Sequence, residues 1–79
     1  MEVLAKKHDY FLHYKGNMYR ILDVGYLEST LESMVIYQSL NDSIVWIRNT
    51  KEFFSSVEVN GKSIPRFARC NKYGEVYEN

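Results

Sequence analysis

A tight turn between aromatic residues, close to the start of the chain, most constrains the fold. Lys15-Gly16-Asn17 separates the aromatic run Tyr10–Tyr14 from a long run of alternating residues, Met18–Leu27. Glycine and asparagine both adopt positive φ at little cost, so this segment predicts a turn that joins two strands. Gly25, inside the second run, predicts a bulge or sharp bend.

A second pair of strands is predicted in the middle of the chain. Ser33–Leu40 and Ile44–Arg48 are rich in β-branched and aromatic residues, and Asn41-Asp42-Ser43 between them is a strong hairpin signal. Ile44–Arg48 is almost entirely apolar. We therefore interpret it as the shortest and most buried strand.

A short helical segment is predicted before a last hairpin. Asn49 can cap a helical turn, and Glu52, three residues later, completes a capping box. Asn60-Gly61 then predicts a tight turn between strands at Val57–Val59 and Ser63–Phe67.

These elements predict an all-β fold: a small open barrel of the SH3 type with five or six strands and one short helical or 3-10 turn. A helical bundle is disfavoured, because no segment longer than about ten residues keeps a 3.6-residue apolar period. The 79 residues form one domain, with seven Tyr, four Phe and one Trp to fill its core. We divide the chain into an N-terminal segment (1–9), the β domain (10–67) and a C-terminal tail or added strand (68–79).

Charge and cysteine content limit the compartment and the partners. Ten basic residues balance ten acidic ones, which argues against a general nucleic-acid binder. The single cysteine, Cys70, cannot form an intramolecular disulfide. The N-terminus has no apolar run after its lysines, and no stretch approaches the roughly 18 apolar residues of a membrane span. We expect a cytoplasmic protein with no membrane partner.

Four motifs in order carry a resemblance to a known family. They are His13–Tyr19, Val35–Leu40, Trp46–Arg48 followed by Phe53, and Ile64–Phe67. Together they resemble the bacterial domain-of-unknown-function family 1653 over about two-thirds of the chain. The resemblance implies a compact SH3-like barrel and no established activity, and a barrel of that type does not by itself identify a function.

The chain also departs from that family's pattern. The family usually carries His-Ser-Glu in the turn after its first long strand, where this chain has Leu27-Glu28-Ser29. Asn41-Asp42, Asn49 and Glu52 are further departures. If the family builds a polar site on that turn, this chain lacks it.

The sequence contains few residues that could support catalysis. His13, with a carboxylate such as Asp9, is the one candidate general base, and a turn histidine bonded to the backbone is the simpler interpretation. Cys70 has no sequence context that supplies a base. No His, Cys, Asp or Glu residues are spaced as metal ligands. We assign no catalytic residue, no metal and no cofactor, and we lean against an enzyme.

A binding surface is the stronger hypothesis. Arginines that end strands beside large aromatic residues can bind carboxylate or phosphate and stack on rings. The candidate surface is Tyr14, Tyr37, Trp46, Arg48 and Arg66. More broadly, a peptide groove can be lined by aromatic residues, and the alternative for each of them is the core. The aromatic residues considered are Tyr14, Tyr19, Tyr37, Trp46 and Phe67. For the two arginines the alternative is a structural ion pair with Glu32 or Glu52.

Three functions stay open on the sequence. The first is a non-catalytic protein- or peptide-binding adaptor module. The second is a small nucleic-acid-binding barrel that stacks single-stranded bases, for which the candidate cations are Lys15, Arg20, Arg48, Arg66 and Arg69. The third is a hydrolase-type enzyme that uses His13. An exposed edge strand can also pair with a second copy, and the oligomeric state stays open.

Overall fold

The computed structural model describes residues 5–77, which form seven strands and one short helix. In chain order these are β1 (Tyr10–His13), β2 (Met18–Leu27), β3 (Glu32–Ser39), β4 (Val45–Asn49), α1 (Thr50–Phe53), β5 (Ser56–Val59), β6 (Lys62–Pro65) and β7 (Phe67–Cys70). The predicted all-β class is confirmed. The described residues contain one strand more than the upper prediction, because Phe67–Cys70 pairs along the whole of β1.

The strands form two antiparallel sheets. Five strands lie in the order β4-β3-β2-β1-β7, and β5 and β6 form a separate hairpin. Since β4 and β7 are the two edges of the larger sheet, the barrel is not closed, which is compatible with the open barrel predicted above. The Cys70 backbone also forms an isolated bridge with Val76, in the part of the chain assigned to a tail or added strand.

Positive φ angles occur at three predicted turns between strands, and Ser43, between β3 and β4, has φ of 64°. Gly16, between β1 and β2, has φ of 107°. Asn60 and Gly61, with φ of 51° and 78°, form the two-residue turn between β5 and β6. Such turns need positive φ at both central positions, which is why Asn-Gly predicted this hairpin correctly.

The bulge of β2 lies at Leu22. Ile21 pairs with Tyr37 and Asp23 pairs with Ile36, so Leu22 is an extra residue on β2. The bulge predicted at Gly25 is wrong, since Gly25 pairs with Met34 in regular register. Most bulges do not require glycine, because the extra residue can stay at negative φ.

The prediction that Ile44–Arg48 is the shortest and most buried strand is also wrong, since β4 has five residues and β1 has four. Among the strands of residues 5–77, β4 pairs with β3 alone, and the exposed fractions of Val45, Trp46 and Ile47 are 49%, 49% and 64%. An apolar run of this length is equally compatible with a central and an edge position.

The core lies on one face of the five-stranded sheet, here called the inner face, which carries Phe11, Ile21 and Val35. The helix α1 supplies Phe53, which is fully buried and stacks on Phe67 with 4.1 Å between ring centroids. Its ring also meets that of Phe11 edge-on at 5.1 Å. Aromatic rings from a helix and from two strands therefore hold the domain together.

The helix is capped as predicted, but without the capping box. The Asn49 side chain accepts a hydrogen bond from the Lys51 amide at 2.8 Å. Its NH₂ group donates to Glu32 of β3 at 2.7 Å, and among the described residues no hydrogen bond joins the Asn49 amide to the Glu52 side chain.

Parts of the predicted terminal segments lie outside the described residues, namely 1–4 and 78–79. Of the N-terminal segment, Ala5 is buried in the core and the His8 amide donates to the Ile21 carbonyl at 2.9 Å. None of the described residues forms a helix of the length and apolarity needed to cross a membrane.

Candidate binding cleft

A small cleft of about 160 Å³ opens on the inner face, where β1 ends and β7 begins. Strand register explains how residues distant in sequence meet there. His13 pairs with Phe67 across β1 and β7, and Tyr37 pairs with Trp46 across β3 and β4, so each pair projects to the same side. The cleft is lined by His13, Tyr19, Tyr37, Trp46, Arg48 and Phe67.

The floor of the cleft is a continuation of the aromatic core. Phe67 packs edge-on against His13 and Tyr37, with 4.9 Å and 5.4 Å between ring centroids. It also stacks on Phe53. Tyr19 meets Tyr37 edge-on at 5.3 Å. Because these rings are packed on several sides, the floor is held in one arrangement before any ligand arrives.

Two arginines bring positive charge to the cleft. Burial raises the pKa of the Tyr37 phenol, and the hydrogen bond and charge of Arg48 offset part of that rise. The Arg66 charge acts on the same phenol. The Arg66 Nε donates to the Ser55 hydroxyl at 3.1 Å, and its carbonyl accepts from the Tyr14 amide at 3.0 Å, so its backbone and side chain are anchored.

The structural ion pair considered for Arg48 and Arg66 is not formed. Within residues 5–77 the ion pairs are Arg69 with Asp9 at 2.7 Å and Lys7 with Asp23 at 3.8 Å. Glu32 instead accepts hydrogen bonds from Asn49 and Thr30. No carboxylate of the described chain therefore lies within ion-pair distance of either arginine, although Glu32 and Glu52 line a neighbouring depression with Arg48.

The surroundings of His13 favour the neutral form of its ring over the protonated form. Burial lowers its pKa, and the nearby charges of Arg48, Lys15 and Arg66 lower it further. Its Nδ1 accepts a hydrogen bond from the Lys15 amide at 3.2 Å, so the proton of the neutral ring is on Nε2. Asp9 lies at the opposite end of β1 and bonds Arg69, which leaves His13 without the carboxylate that the enzyme hypothesis required.

The lowered pKa of His13 predicts a pH dependence of stability. The unfolded chain binds a proton at His13 more readily than the folded protein, so stability is full above the unfolded pKa of about 6.5 and falls as the pH drops below it. His13→Asn, which keeps an acceptor near the Lys15 amide, should reduce the loss between pH 7.5 and 5.5. Urea unfolding of both proteins at the two pH values measures it. An unchanged loss in the variant would assign the dependence to other groups.

Three of the five residues of the predicted surface line the cleft, and the other two lie close to it. Tyr37, Trp46 and Arg48 line it. Tyr14 lies at the rim with its ring 4.6 Å from that of His13, and Arg66 is close enough to act on the His13 ring.

Three lining residues, His13, Tyr19 and Phe67, were not part of the predicted five-residue surface, although Tyr19 and Phe67 were among the aromatic residues considered for a peptide groove. A signal for Tyr19 was present, since it alternates with Ile21 and so shares its face. The departing turn Leu27-Glu28-Ser29 is exposed, lies at the other end of β2 and contributes nothing to the cleft.

Other reactive groups lie apart from the cleft. Cys70 is buried, and burial raises the pKa of its thiol. The raised pKa disfavours the thiolate, which is the nucleophilic form. In the part of the chain that the structure describes, no three His, Cys, Asp or Glu side chains are grouped to hold a metal ion.

The fold and the cleft together define a small, mostly β domain with an aromatic and cationic depression on the inner face of its larger sheet. The chain belongs to the DUF1653 family, described as proteins of unknown function, whose sequence profile matches residues 9–69. A crystal structure of a DUF1653 protein from Bordetella bronchiseptica is similar, with 25% identity and a TM-score of 0.73 over 92% of this chain and 94% of that one. Comparison with curated proteins found no match.

Proposed function

We propose that this protein is a non-catalytic module that holds an extended peptide segment of a partner protein in the cleft. One observation supports the proposal: Tyr37, Trp46 and Arg48 line the same cleft, and Arg66 lies beside them. Neither arginine forms an ion pair with a carboxylate of the described residues. Trp, Tyr and Arg are the residue types that contribute most to binding at protein interfaces.

The geometry favours binding over catalysis. A general base needs an unprotonated nitrogen that faces the substrate, and the Nδ1 of His13 is occupied by the Lys15 amide. The groups along the wall are hydrogen-bond donors, cations and rings, which suit the recognition of a negatively charged or aromatic ligand. We also propose a cytoplasmic location, which suits a chain whose one cysteine is a buried thiol.

A nucleic-acid ligand is supported less well. Of the five cations considered for it, Lys15, Arg48 and Arg66 lie around the cleft. Arg69 is paired with Asp9, and Arg20 lies on the other face of the sheet, opposite Gln38 and Tyr10. Together with zero net charge, this leaves no continuous basic track for a phosphate backbone.

Selection of peptides on the whole protein tests the proposal. A displayed library of random short peptides is enriched on immobilised protein, and the affinity of the enriched peptides is measured by fluorescence anisotropy. Arg48→Gln and Trp46→Ala should each weaken binding about tenfold or more, with little change in thermal midpoint. Lys62→Gln, which removes an exposed charge on the separate hairpin, should bind as the unmodified protein does.

Two results would contradict the proposal. One is a selection that enriches no peptide above a blank surface. The other is a set of peptides whose affinity for Arg48→Gln and Trp46→Ala is unchanged. A parallel arm with random single-stranded oligonucleotides would favour the nucleic-acid alternative if only that arm bound and its affinity fell steeply with added salt.

A further inference from the structure

The free edge of β4 lies directly beside the cleft. The strand pairs with β3 on one side, and the described residues place no strand on its other side. Trp46 and Arg48, which line the cleft, belong to this edge strand. A strand added at the edge would therefore place its own inward side chains next to them.

The pairing pattern identifies which backbone groups are open. The Ser39 amide donates to the Ile44 carbonyl at 2.9 Å, so these opposed residues form a hydrogen-bonded pair. In an antiparallel ladder such pairs recur at every second position, which gives Tyr37 with Trp46 as the next one. Val45 and Ile47 are in the intervening pairs, and their N–H and C=O groups point away from β3. The open edge thus presents two donors and two acceptors.

The side chains of β4 alternate between the two faces of the sheet. Val45 and Ile47 direct their backbone groups to the edge and their side chains to the outer face of the sheet. Trp46 and Arg48 direct their side chains to the inner face, beside Tyr37 and Val35. Residues of an added strand opposite Trp46 and Arg48 would form non-hydrogen-bonded pairs, in which side chains approach most closely.

Charge indicates which occupant fits this edge. The strand Val45–Asn49 contains no acidic residue. Glu32 and Glu52 line a depression next to Arg48, but no carboxylate of the described residues lies within ion-pair distance of it. A second copy paired through its own β4 would bring another arginine and no carboxylate. A segment with Asp or Glu opposite Arg48 and an apolar residue opposite Trp46 would satisfy both positions.

From this arrangement we infer that the partner segment binds by adding a strand to the free edge of β4, with an acidic side chain against Arg48 and an apolar side chain, two residues away, against Trp46. The inference rests on the proposed function and specifies its ligand: an extended acidic peptide. Backbone bonds to Val45 and Ile47 supply affinity that does not depend on peptide sequence, and the cleft supplies the selectivity.

The peptides enriched in the selection described above test the inference in two ways. Their sequences should carry Asp or Glu two positions from an apolar residue, and replacing that acidic residue by its amide should weaken binding about tenfold or more. Hydrogen exchange followed by NMR should show slower exchange at the Val45 and Ile47 amides when peptide is bound.

The variant Ile47→Pro gives an independent check. Proline is tolerated on edge strands where its missing N–H faces solvent, so this variant should fold and should lose most of its peptide affinity. Should it fail to fold, the exchange measurement on the unmodified protein decides the inference.

The possible failures are distinguishable. If no peptide is enriched, both the proposed function and the inference fail. If peptides depend on Arg48 and Trp46 but leave exchange at Val45 and Ile47 unchanged, the cleft binds peptide by another mode and only the inference fails. Slowed exchange at these amides without peptide, with sedimentation as a dimer, would assign the edge to a second copy and overturn the inference.

Discussion

Phe53→Ala is expected to unfold most of the protein at 37 °C. The side chain is fully buried and stacks on Phe67, so its truncation removes about 3–5 kcal/mol of stability. A domain of this size has a net stability of about 5 kcal/mol or less. The loss is therefore comparable with the whole free energy of unfolding. Urea titration followed by tryptophan fluorescence measures it.

The control for this variant is Tyr26→Ala. Tyr26 is also aromatic, but its side chain is 77% exposed at the end of β2, so truncation should change stability by about 0.5 kcal/mol or less. Similar losses for the two variants would show that Phe53 is not part of the core and that α1 does not pack as described.

Asp9→Ala is expected to cost about 2 kcal/mol, the second largest effect among these predictions. The Asp9 carboxylate is only 17% exposed and accepts from Arg69 at 2.7 Å and from the Lys6 amide at 3.1 Å. It joins the residues before β1 to β7, and its removal leaves a half-buried arginine without this carboxylate. Partial exposure of Arg69 reduces the cost below that of a fully buried pair.

Asp23→Ala is a closely matched comparison. Asp23 also accepts a backbone hydrogen bond, from Val24, and forms an ion pair, with Lys7 at 3.8 Å. Both side chains of that pair are more than half exposed, so we expect a loss of about 0.5 kcal/mol or less. Equilibrium urea unfolding of both variants at neutral pH measures the difference. Equal losses would mean that burial does not set the strength of these pairs.

Local sequence signals predicted most of the strands because their causes are local. Asn60-Gly61 specifies its turn by the φ angles that these two residues tolerate, and the predicted run Met18–Leu27 matches β2 end to end. Asn49 was recognisable as a helix cap because its side chain can reach an amide two residues later. In each case the residues that determine the structure are neighbours in the chain.

The edge position of β4 depends on distant residues and was not predictable in this way. Whether an apolar strand is central or at an edge is decided by which other strands pair with it. Here β7 pairs with β1, and no strand of the described part of the chain pairs with the second side of β4. The bulge at Leu22 also arises from the register between β2 and β3 and has no signature in the sequence of β2 alone.

Only part of the cleft was predictable from the sequence, because it too depends on which strands pair. The alternation of Trp46 and Arg48 places them on one face whatever the fold, and a position beside Tyr37 follows only once the β3–β4 register is known. His13 was interpreted as a turn residue, and it does bond the turn backbone while also lining the cleft. One side chain here serves both purposes, which sequence reasoning had treated as alternatives.

The exposed apolar edge of β4 has a consequence for the behaviour of the protein in concentrated solution. Soluble proteins usually protect an edge strand with lysine, proline or a covering loop, because unpaired backbone groups beside apolar side chains promote intermolecular aggregation. Val45, Trp46 and Ile47 offer none of these protections, and a single arginine, Arg48, is the charge that interrupts the strand. Colloidal stability and ligand recognition would then depend on the same short strand, so that occupancy by a partner would also keep the protein soluble.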